Sequence, residues 1–445
     1  MGQQQDVRPL SGIRVLELTS GIAGPAAGRH LSAMGAEVIR LDSLKRPDAL
    51  RLTGSGWARD QHAGVRLDTG PMFSEFMAGK RSLAVDAKTP RGRDIVLKLV
   101  EHCDVFIMNM SAAVPAQLGL DEGALLERRP DLICCLMPGF GMSPSRYHDY
   151  RAWGPNLGPL AGLDNLTGWP DRAQSGLGTA SCPDYTSAGH AAVAILAALL
   201  HRDATGEGQV IDLSQFESTV ALLGPLLALF DDTGVERERC GNGDTFGCPR
   251  GAFPTVGDDQ WIAIACSTDD QWAALCEVAN GEPFAADRTL ANESARRAAG
   301  DALTSDIACW TSRWLAFELA ELLQGRGVPA GEVHDQAGLL TDPQLRARRT
   351  IRPVPSTRFG RDLITAFPPR MSGAATDLHR TGPMLGEDND DILGNLLGLD
   401  AAERRQLADD GVIDSPVHPE VRLRRPYVDW VRYIIPDPEW AGVDA

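Results

Sequence analysis

The first half of the chain alternates short apolar segments with segments that carry helix signals. Apolar, partly β-branched stretches occupy residues 13–18, 36–42, 81–86, 104–109 and 131–140. Between them, Pro25 lies near the start of "GPAAGRHLSAMG", and Thr89 and Pro90 precede "RGRDIVLKLVEHC", as at helix N-termini. Strands that alternate with helices are typical of a parallel sheet covered by helices on both faces. The pattern therefore predicts an α/β fold.

A second kind of pattern begins at residue 181, with "SCPDYTSAGHAAVAILAALLHR". Asp184 is followed by no Asp, Glu, Lys or Arg until Arg202, and the helix predicted here is apolar on all sides. Such a helix is buried inside a large domain or in an interface. The segments "QVIDLS" and "FESTVALLGPLLALF" then predict one more strand and one more helix.

The chain changes character near residue 231, where "DDTGVERERCGNGDTFGCPRG" is polar and rich in glycine. The segments "GAFPTV" and "QWIAIAC" predict a hairpin, and "SDIACWTSRWLAFELAELLQGRG" predicts one long helix. We therefore expect residues 1–231 to belong to a large domain and residues 232–350 to form a smaller α+β domain. After a further helix, "DNDDILGNLLGLDAAERRQLADDG", residues 414–445 form a tail rich in proline and charge.

Charge and cysteine usage narrow the classes of function. With 43 Lys and Arg against 60 Asp and Glu, the net charge is −17, which argues against general binding to nucleic acid or to a membrane surface. The N-terminus has no signal-like segment, and no apolar run is long enough for a membrane span. The nine scattered cysteines form no C-x-x-C pair and no common zinc spacing, so we expect reduced thiols in the cytoplasm and no metal.

The segment "IRVLELTSGIAGPAAGRHLSAMGAEVIRLD" is ordered like a dinucleotide-binding unit, with a strand, a glycine loop, a helix and a strand. Its glycines, Gly21, Gly24 and Gly28, do not have the G-x-G-x-x-G spacing, which argues against an NAD site. Two interpretations stay open. A ligand that carries phosphate could bind at the helix N-terminus, or the glycines could serve close packing of helix on strand.

Asp184 also has two interpretations. An aspartate before a helix satisfies unpaired backbone N–H groups and interacts favourably with the helix dipole. An ionised carboxylate can equally act as a nucleophile towards an activated acyl group, and N–H dipoles at a helix start favour its negative charge. The local sequence alone does not decide between the two.

Several segments together resemble the class III CoA-transferase family, also called the CaiB/BaiF family, which includes formyl-CoA transferase. In chain order they begin with "LSGIRVLELTSGIAGPAAGRHLSAMGAEVIRLD", "GKRSLAVDAKTPRGRDIVLKLVEHCDVFIMN" and "LGLDEGALLERRPDLICCLMPGFG". They continue with "PDYTSAGHAAVAILAALLHRDATGEGQVIDLS", "RGVPAGEVHDQAGLLTDPQLRAR" and "LLGLDAAERRQLADDGVI". The resemblance implies a nucleotide-binding-like parallel sheet in the large domain, to which residues 351–413 return. It also implies an interlocked homodimer, with a heteromer as the alternative.

The resemblance further implies a CoA-transferase that has no tightly bound cofactor and uses acyl-CoA and a carboxylic acid as substrates. Asp184 aligns with the family's nucleophile, which forms an acyl anhydride and then an aspartyl-CoA thioester. The family's CoA contacts fall on Ile22, Ala23, Val85, Lys88, Asn109, Met110, Ser111, Gly139 and Phe140.

Two positions depart from the family. Ser43 and Gln117 stand where the family often has a basic residue, so a CoA phosphate loses cationic partners. Either Lys45, Arg46 or Arg81 substitutes, or the affinity for CoA is altered. The same departures motivate another hypothesis, a non-catalytic subunit of a heteromeric transferase.

A third departure concerns related racemases, which pair an aspartate with a histidine to remove a proton. Trp153 occupies the position of that histidine, and His148 is five residues away, which argues against an α-methylacyl-CoA racemase. Trp153, Asn156 and Trp169 are candidates for the lining of the acyl pocket, and the alternative is that these aromatic residues belong to a domain core.

Overall fold

The computed structural model describes residues 8–43, 45–52, 68, 70–176, 181–243, 247–356 and 360–414. The predicted tail therefore lies, from residue 415 onward, outside the described residues. The chain divides into two compact units. The first comprises Met1–Gly162, Gly178–Leu227 and Arg348–Ala445, and the second comprises Leu163–Leu177 and Ala228–Ala347. Residues 163–177, which the sequence predicts to lie in the large domain, cluster with the second unit.

The first unit is built around a six-stranded parallel sheet, which confirms the predicted fold class. Its strands are β1 (Arg14–Leu18), β2 (Glu37–Asp42), β3 (Arg81–Ala84), β4 (Val105–Met108), β5 (Ile133–Leu136) and β6 (Gln209–Asp212). Their order is β3-β2-β1-β4-β5-β6, and Leu16 of β1 pairs with both Ile39 and Phe106. The direction of winding reverses between β1 and β4. Ligands of open α/β sheets bind at such a switch point, at the carboxyl ends of the strands.

The helices occupy the following ranges in chain order: α1 (Ala23–Ala33), α2 (Ala49–Leu52), α3 (Pro71–Phe76), α4 (Pro90–Val100), α5 (Val114–Leu118), α6 (Glu122–Arg128), α7 (Gly154–Leu160), α8 (Cys182–Thr205), α9 (Gln215–Val220), α10 (Gly224–Thr233), α11 (Asp269–Val278), α12 (Pro283–Ala286), α13 (Glu293–Thr311), α14 (Ala316–Gln324), α15 (Gln336–Thr341), α16 (Pro343–Ala347), α17 (Asn389–Asp391) and α18 (Ala401–Asp409). As the sequence predicts, Thr89 caps α4, and its hydroxyl accepts the N–H of Gly92 at 3.0 Å. Among these described helices, none combines the length and the apolar character needed to cross a lipid bilayer.

Both faces of the parallel sheet are covered, because successive strand residues point to opposite sides. Val15 packs in one apolar cluster with residues of α1 and α8, and its neighbour Leu16 packs in another with residues of α4. The second cluster also takes in Ile392 and Leu407 from the C-terminal part of the chain. This part docks onto the sheet directly, since the Asn389 side chain accepts the N–H of Ala84 at 2.8 Å.

Helix α8 is buried along one side, where Ala188, Ala191 and Ile195 pack in the first cluster. Its other side is open in the single chain, where Val193 is 68% exposed and Leu200 is 72% exposed. The structure therefore does not bury the whole of α8 within one chain. Burial in an interface stays a prediction.

The second unit contains a three-stranded antiparallel sheet of β7 (Arg250–Pro254), β8 (Trp261–Ala265) and β9 (Ala330–Glu332). Strands β7 and β8 form the hairpin that the sequence predicts. The single long helix predicted near residues 305–327 is wrong, because α13 ends at Thr311 and α14 begins at Ala316. The carbonyl of Trp314, between the two, accepts the N–H of Val256 at 2.9 Å, a long-range contact that is not visible in the local sequence.

A second antiparallel hairpin, of β10 (Ile351–Ser356) and β11 (Gly360–Thr365), belongs to the first unit. The helix predicted across residues 388–411 is interrupted. It consists of α17, a π-helical turn at Ile392–Leu396 and α18, which begins with a capping box of Asp400 and Glu403. The break follows from that cap, which starts a new helix.

Candidate active site

Asp184 lies in the first turn of α8 but does not cap it. The N-cap is Ser181, whose carbonyl accepts the N–H of Asp184 at 3.0 Å. The Asp184 side chain is buried, with 9% of the residue exposed. Because the N-cap is Ser181, the N-cap interpretation of Asp184 is wrong, and its carboxylate lies in the first turn of the helix.

Two groups hold the Asp184 carboxylate. The hydroxyl of Ser181 donates to Oδ2, and the backbone N–H of Ala23, the first residue of α1, lies near enough to the carboxylate to favour its charged form. Burial raises the pKa of Asp184 above its usual value, and these two groups oppose the rise. The carboxylate is thus poorly solvated and lies at the N-terminus of a second helix, where the dipole favours negative charge.

The N-terminus of a third helix lies against the same carboxylate. Gly154, the first residue of α7, is buried, and a Cβ atom on it would overlap the Ser181 hydroxyl and Asp184 Oδ2. A glycine is therefore needed here for close approach of backbone to carboxylate. Nothing in the spacing of the sequence signals this contact.

The loop between β1 and α1 is fixed at the switch point of the sheet. Asn109, which follows β4, bonds to both backbone groups of Ser20: its Oδ1 accepts the N–H and its Nδ2 donates to the carbonyl, each at 2.8 Å. Gly21 has a φ of +70°, a conformation that favours glycine, and its N–H donates to Asp48. The Asp184 site thus lies where open α/β sheets bind ligands.

The predicted CoA contacts all follow the carboxyl ends of four strands, and so share one edge of the sheet. Ile22 and Ala23 follow β1, Val85 and Lys88 follow β3, Asn109, Met110 and Ser111 follow β4, and Gly139 and Phe140 follow β5. Lys88 and Ser111 are exposed and accessible to a ligand. Contact of CoA with any member of this set stays a prediction.

Several members of that set have structural roles. The Asn109 amide is occupied by Ser20, and Val85 is 3% exposed with its N–H donated to the Asp42 carbonyl at 2.9 Å. Gly139 leaves no room for a Cβ atom beside Ala152. Phe140 is buried among the rings of Tyr147, Tyr150 and Phe216.

The three cations considered as substitutes for Ser43 and Gln117 differ in position. Lys45 Nζ lies 2.7 Å from Asp86 Oδ2, on the loop that carries Lys88, and its side chain is 57% exposed. Arg46 is exposed on the same turn. Arg81 opens β3, at the opposite edge of the sheet, and pairs with Glu37, Asp388 and Asp391. Substitution by Arg81 is therefore wrong.

The two candidate tryptophans lie in different units. Trp153 precedes α7, where its N–H donates to Asn156 Oδ1 at 2.6 Å. Its ring is 61% exposed, and a Cβ built on Gly21 would lie 3.6 Å from Trp153 Cζ3. Trp169 belongs to the second unit, packs against Gly241 and is 49% exposed. Neither ring is part of a core.

The histidine considered for a racemase is not a partner of the nucleophile. His148 is half-buried, and its Nε2 lies 3.9 Å from Asp149. The Asp184 carboxylate accepts a hydrogen bond from the Ser181 hydroxyl and lies near the Ala23 N–H. The geometry around Asp184 therefore suits a nucleophilic carboxylate more than an aspartate–histidine pair.

Comparisons with known proteins show the family of this chain. A family model described as CoA-transferase family III matches residues 10–389. The chain is 32% identical over 399 residues to the succinyl-CoA–D-citramalate CoA-transferase of Chloroflexus aurantiacus, with coverage of 90% of this chain and 96% of that one. It is 28% identical to the alpha subunit of the succinyl-CoA–L-malate CoA-transferase of Chloroflexus aurantiacus, with coverage of 91% and 93%.

One solved structure is similar over nearly its whole length. A CaiB/BaiF family protein from Brucella suis has a TM-score of 0.79 and 30% sequence identity, with coverage of 87% of this chain and 99% of that one.

Proposed function

The chain belongs to CoA-transferase family III, and from that membership we propose that it moves CoA from an acyl-CoA donor to a carboxylic acid acceptor through a covalent intermediate on Asp184. The observation that carries this assignment is the buried Asp184 carboxylate, hydrogen-bonded to Ser181 and beside the Ala23 N–H at the switch point of the sheet.

In the first half-reaction, a carboxylate oxygen of Asp184 attacks the thioester carbonyl, and the C–S bond breaks to release the CoA thiolate and leave an acyl anhydride. The thiolate then attacks the Asp184 carbonyl of the anhydride. The C–O bond breaks, and the donor acid leaves as its carboxylate, so that Asp184 carries CoA as a thioester. The acceptor carboxylate repeats these two steps in reverse order, and no net proton is transferred.

The surroundings of Asp184 support each part of this scheme. A carboxylate removed from water is less solvated and so more reactive, and its pKa is raised by burial. The Ala23 N–H is a fixed donor that can stabilise negative charge on an oxygen bound to the Asp184 carbon in the transition state. Gly154 brings the start of α7 against the same atoms and helps to exclude water.

For substrates, we propose a dicarboxylyl-CoA as donor, because the two relatives named above use succinyl-CoA. Trp153, which lies next to Gly21 and directly precedes Gly154, provides an aromatic wall for the acyl group. We propose Lys88 as a cation for a CoA phosphate, with Lys45 beside it on the other side of Asp86.

The test is chemical trapping of the intermediate. The protein is incubated with succinyl-CoA and treated with borohydride or hydroxylamine, and the modified peptide is identified by mass spectrometry. We expect modification at Asp184, and we expect Asp184→Ala to lose both the adduct and the transfer of CoA. Asp203→Asn, an exposed aspartate on the same helix, is the matched control and should keep both.

Two results would overturn this proposal. Full transfer of CoA by Asp184→Ala would remove Asp184 as the nucleophile. Exchange of the α-proton of an acyl-CoA for deuterium, in the absence of any acceptor acid, would favour a racemase instead.

We also propose that the protein acts as a homodimer. The exposed apolar side chains Val193 and Leu200 of α8 support this, since such surfaces mark interfaces. Light scattering of the purified chain tests it. A monomer that is inactive alone would favour a heteromer, as in the relative that is named as an alpha subunit.

A further inference from the structure

The loop between β1 and α1, which leads to the Ala23 N–H, is held through Gly21 by the buried carboxylate of Asp48. We propose that Asp48 is a positioning residue, which holds this loop so that the Ala23 N–H meets the nucleophile; the inference rests on the role of Asp184 proposed above. Asp48 does not touch Asp184 in this scheme. It acts through Gly21, two residues before Ala23 in the chain.

The contacts of Asp48 are all internal. Its Oδ2 accepts the N–H of Gly21 at 3.2 Å and pairs with Arg40 Nη2 at 2.7 Å, while its Oδ1 accepts the N–H of Leu50 at 2.8 Å. Only 1% of its side chain is exposed. A single carboxylate therefore links the Gly21 loop to a fixed guanidinium and to the start of α2.

Arg40 holds a second point of the same loop. Its Nη1 lies 3.4 Å from Thr19 Oγ1, and its other nitrogens pair with Asp42 at 2.9 Å and Asp48 at 2.7 Å. Lys80, nearby, pairs with Glu17 at 2.8 Å and donates to the Pro25 carbonyl, in the first turn of α1, at 2.7 Å. These contacts therefore fix the loop before Ala23 and the first turn of α1 after it.

These residues belong to a larger set of buried ions, which we call the buried ion cluster. Its members, with side chains at most 2% exposed, are Glu17, Arg40, Asp42, Asp48, Arg51, Asp68 and Lys80. Buried ion pairs are seldom more stabilising than apolar packing of the same volume, and their best-attested benefit is to fix one arrangement. We therefore attribute the buried ion cluster to positioning of the loop that precedes Ala23 rather than to stabilisation of the fold.

The test compares two isosteric changes in this cluster. In Asp48→Asn, the carboxylate that accepts from both the Gly21 N–H and Arg40 becomes an amide. One end of an amide donates instead of accepting, so the loop loses an anchor. Asp68→Asn is the matched control. It alters a carboxylate of the same cluster whose described contacts include Arg51 and the N–H of Leu385.

The first readout is hydrogen–deuterium exchange of the peptide that contains residues 19–25. We expect faster exchange of this peptide in Asp48→Asn than in Asp68→Asn, with the core peptide of β4 and β5 unchanged between the two variants. A general loss of stability would instead raise exchange in all peptides alike.

The second readout is the acid limb of the pH profile for formation of the aspartyl-CoA thioester. Weakening the Ala23 N–H contact removes a hydrogen bond to the charged form, so the limb should move up by about 0.5 to 1 pH unit in Asp48→Asn. Asp68→Asn should leave it in place. Both variants retain Tyr185, the titratable neighbour of Asp184 on α8 whose pKa is raised by burial and by the charges of Glu75 and Asp184, and Arg29 and His30 on α1.

If Asp48→Asn does not fold, Gly21→Ala tests the same link from the loop side. It leaves the buried ion cluster whole but places a side chain at a φ of +70°, which strains the loop. The same two shifts are expected. Equal exchange and equal acid limbs in the Asp48 and Asp68 variants would overturn the positioning role while Asp184 stays the nucleophile. Full activity of Asp184→Ala would instead overturn the proposed function itself.

Discussion

The backbone N–H of Ala23 lies beside the buried carboxylate of Asp184 and favours its charged form, so the first turns of α1 and α8 meet at the same group. Helix N-termini favour negative charge, and both helices here present that end. The same contact can hold the carboxylate in its ionised form before reaction and can stabilise an oxyanion during it. The effects expected of changes near Asp184 follow from this arrangement.

Gly154→Ala should lower the activity strongly while the protein stays folded. A Cβ atom there would overlap the Ser181 hydroxyl and Asp184 Oδ2, so the carboxylate has to move. A displacement of about 1 Å can lower a rate by about 10²-fold, and we expect kcat to fall to that extent. Steady-state kinetics with succinyl-CoA and an acceptor acid give the measurement.

Gly189→Ala is the control for that change. Gly189 lies in the N-terminal half of α8, the helix that carries Asp184, and no atom outside the helix backbone is within 4 Å of the position that its Cβ would take. We expect normal kcat, with a stability equal to or slightly above that of the parent, since alanine favours helix over glycine by about 0.5–1 kcal/mol. Equal kcat values for the two variants would mean that contact at Gly154 does not place Asp184.

The strands and the site differ in how far the sequence could predict them. Strands such as β4 and β5 are buried on both faces and therefore appear as continuous apolar runs in the sequence. These runs allowed the strands to be predicted. Asp184 was identified as a nucleophile through resemblance to a family, because the local sequence left both a cap and a nucleophile open and favoured the cap. In the structure the cap is Ser181.

Gly154 and Asp48 could not be predicted in the same way. Each acts through a contact with residues distant in sequence, and neither lies in a periodic pattern or a motif that carries a chemical meaning. The break between α13 and α14 is accompanied by a contact of the same kind, a hydrogen bond from the Val256 N–H to the Trp314 carbonyl. Tertiary contacts of this kind override local propensity.

Acid should destabilise the protein through His30. Burial, and then the positive charges of Arg29 and Lys80, lower the pKa of His30 from 6.5 to about 4. The unfolded chain therefore binds a proton between pH 6.5 and pH 4 that the folded chain does not, so this contribution to stability is lost as pH falls through that window. For this histidine the loss from pH 7.5 to pH 5 is about 2 kcal/mol.

His30→Gln should remove that part of the pH dependence. Urea unfolding at pH 7.5 and pH 5 gives the free energy of unfolding for both proteins, and we expect the difference between the two pH values to shrink by about 2 kcal/mol in the variant. His201→Gln, on an exposed position of α8, should leave the dependence as it was. An unchanged difference in His30→Gln would show that His30 does not titrate in this window.

Lys88→Ala should weaken the binding of CoA. Lys88 is exposed at the carboxyl edge of the sheet, beside Asp86, and a charge-assisted hydrogen bond to phosphate is strong. We expect the Kd for CoA, measured by calorimetry at fixed salt, to rise about tenfold. Lys98→Ala, exposed on α4, is the matched control and should bind as the parent does. Equal affinities for the two variants would remove Lys88 from the CoA site.

Trp153→Ala should lower the efficiency with which the donor is used without lowering stability. The ring is 61% exposed, so its removal leaves no cavity in a core, yet it stands over Gly21 on the loop that leads to Ala23. Loss of an aromatic wall should reduce kcat/KM for succinyl-CoA by about 3- to 10-fold, and Trp153→Phe should recover most of it. Trp261→Ala, on β8, provides the control for removal of a partly exposed indole. If Trp153→Ala uses the donor as well as the Trp261 variant does, the acyl group lies elsewhere, and the exposed ring has another role.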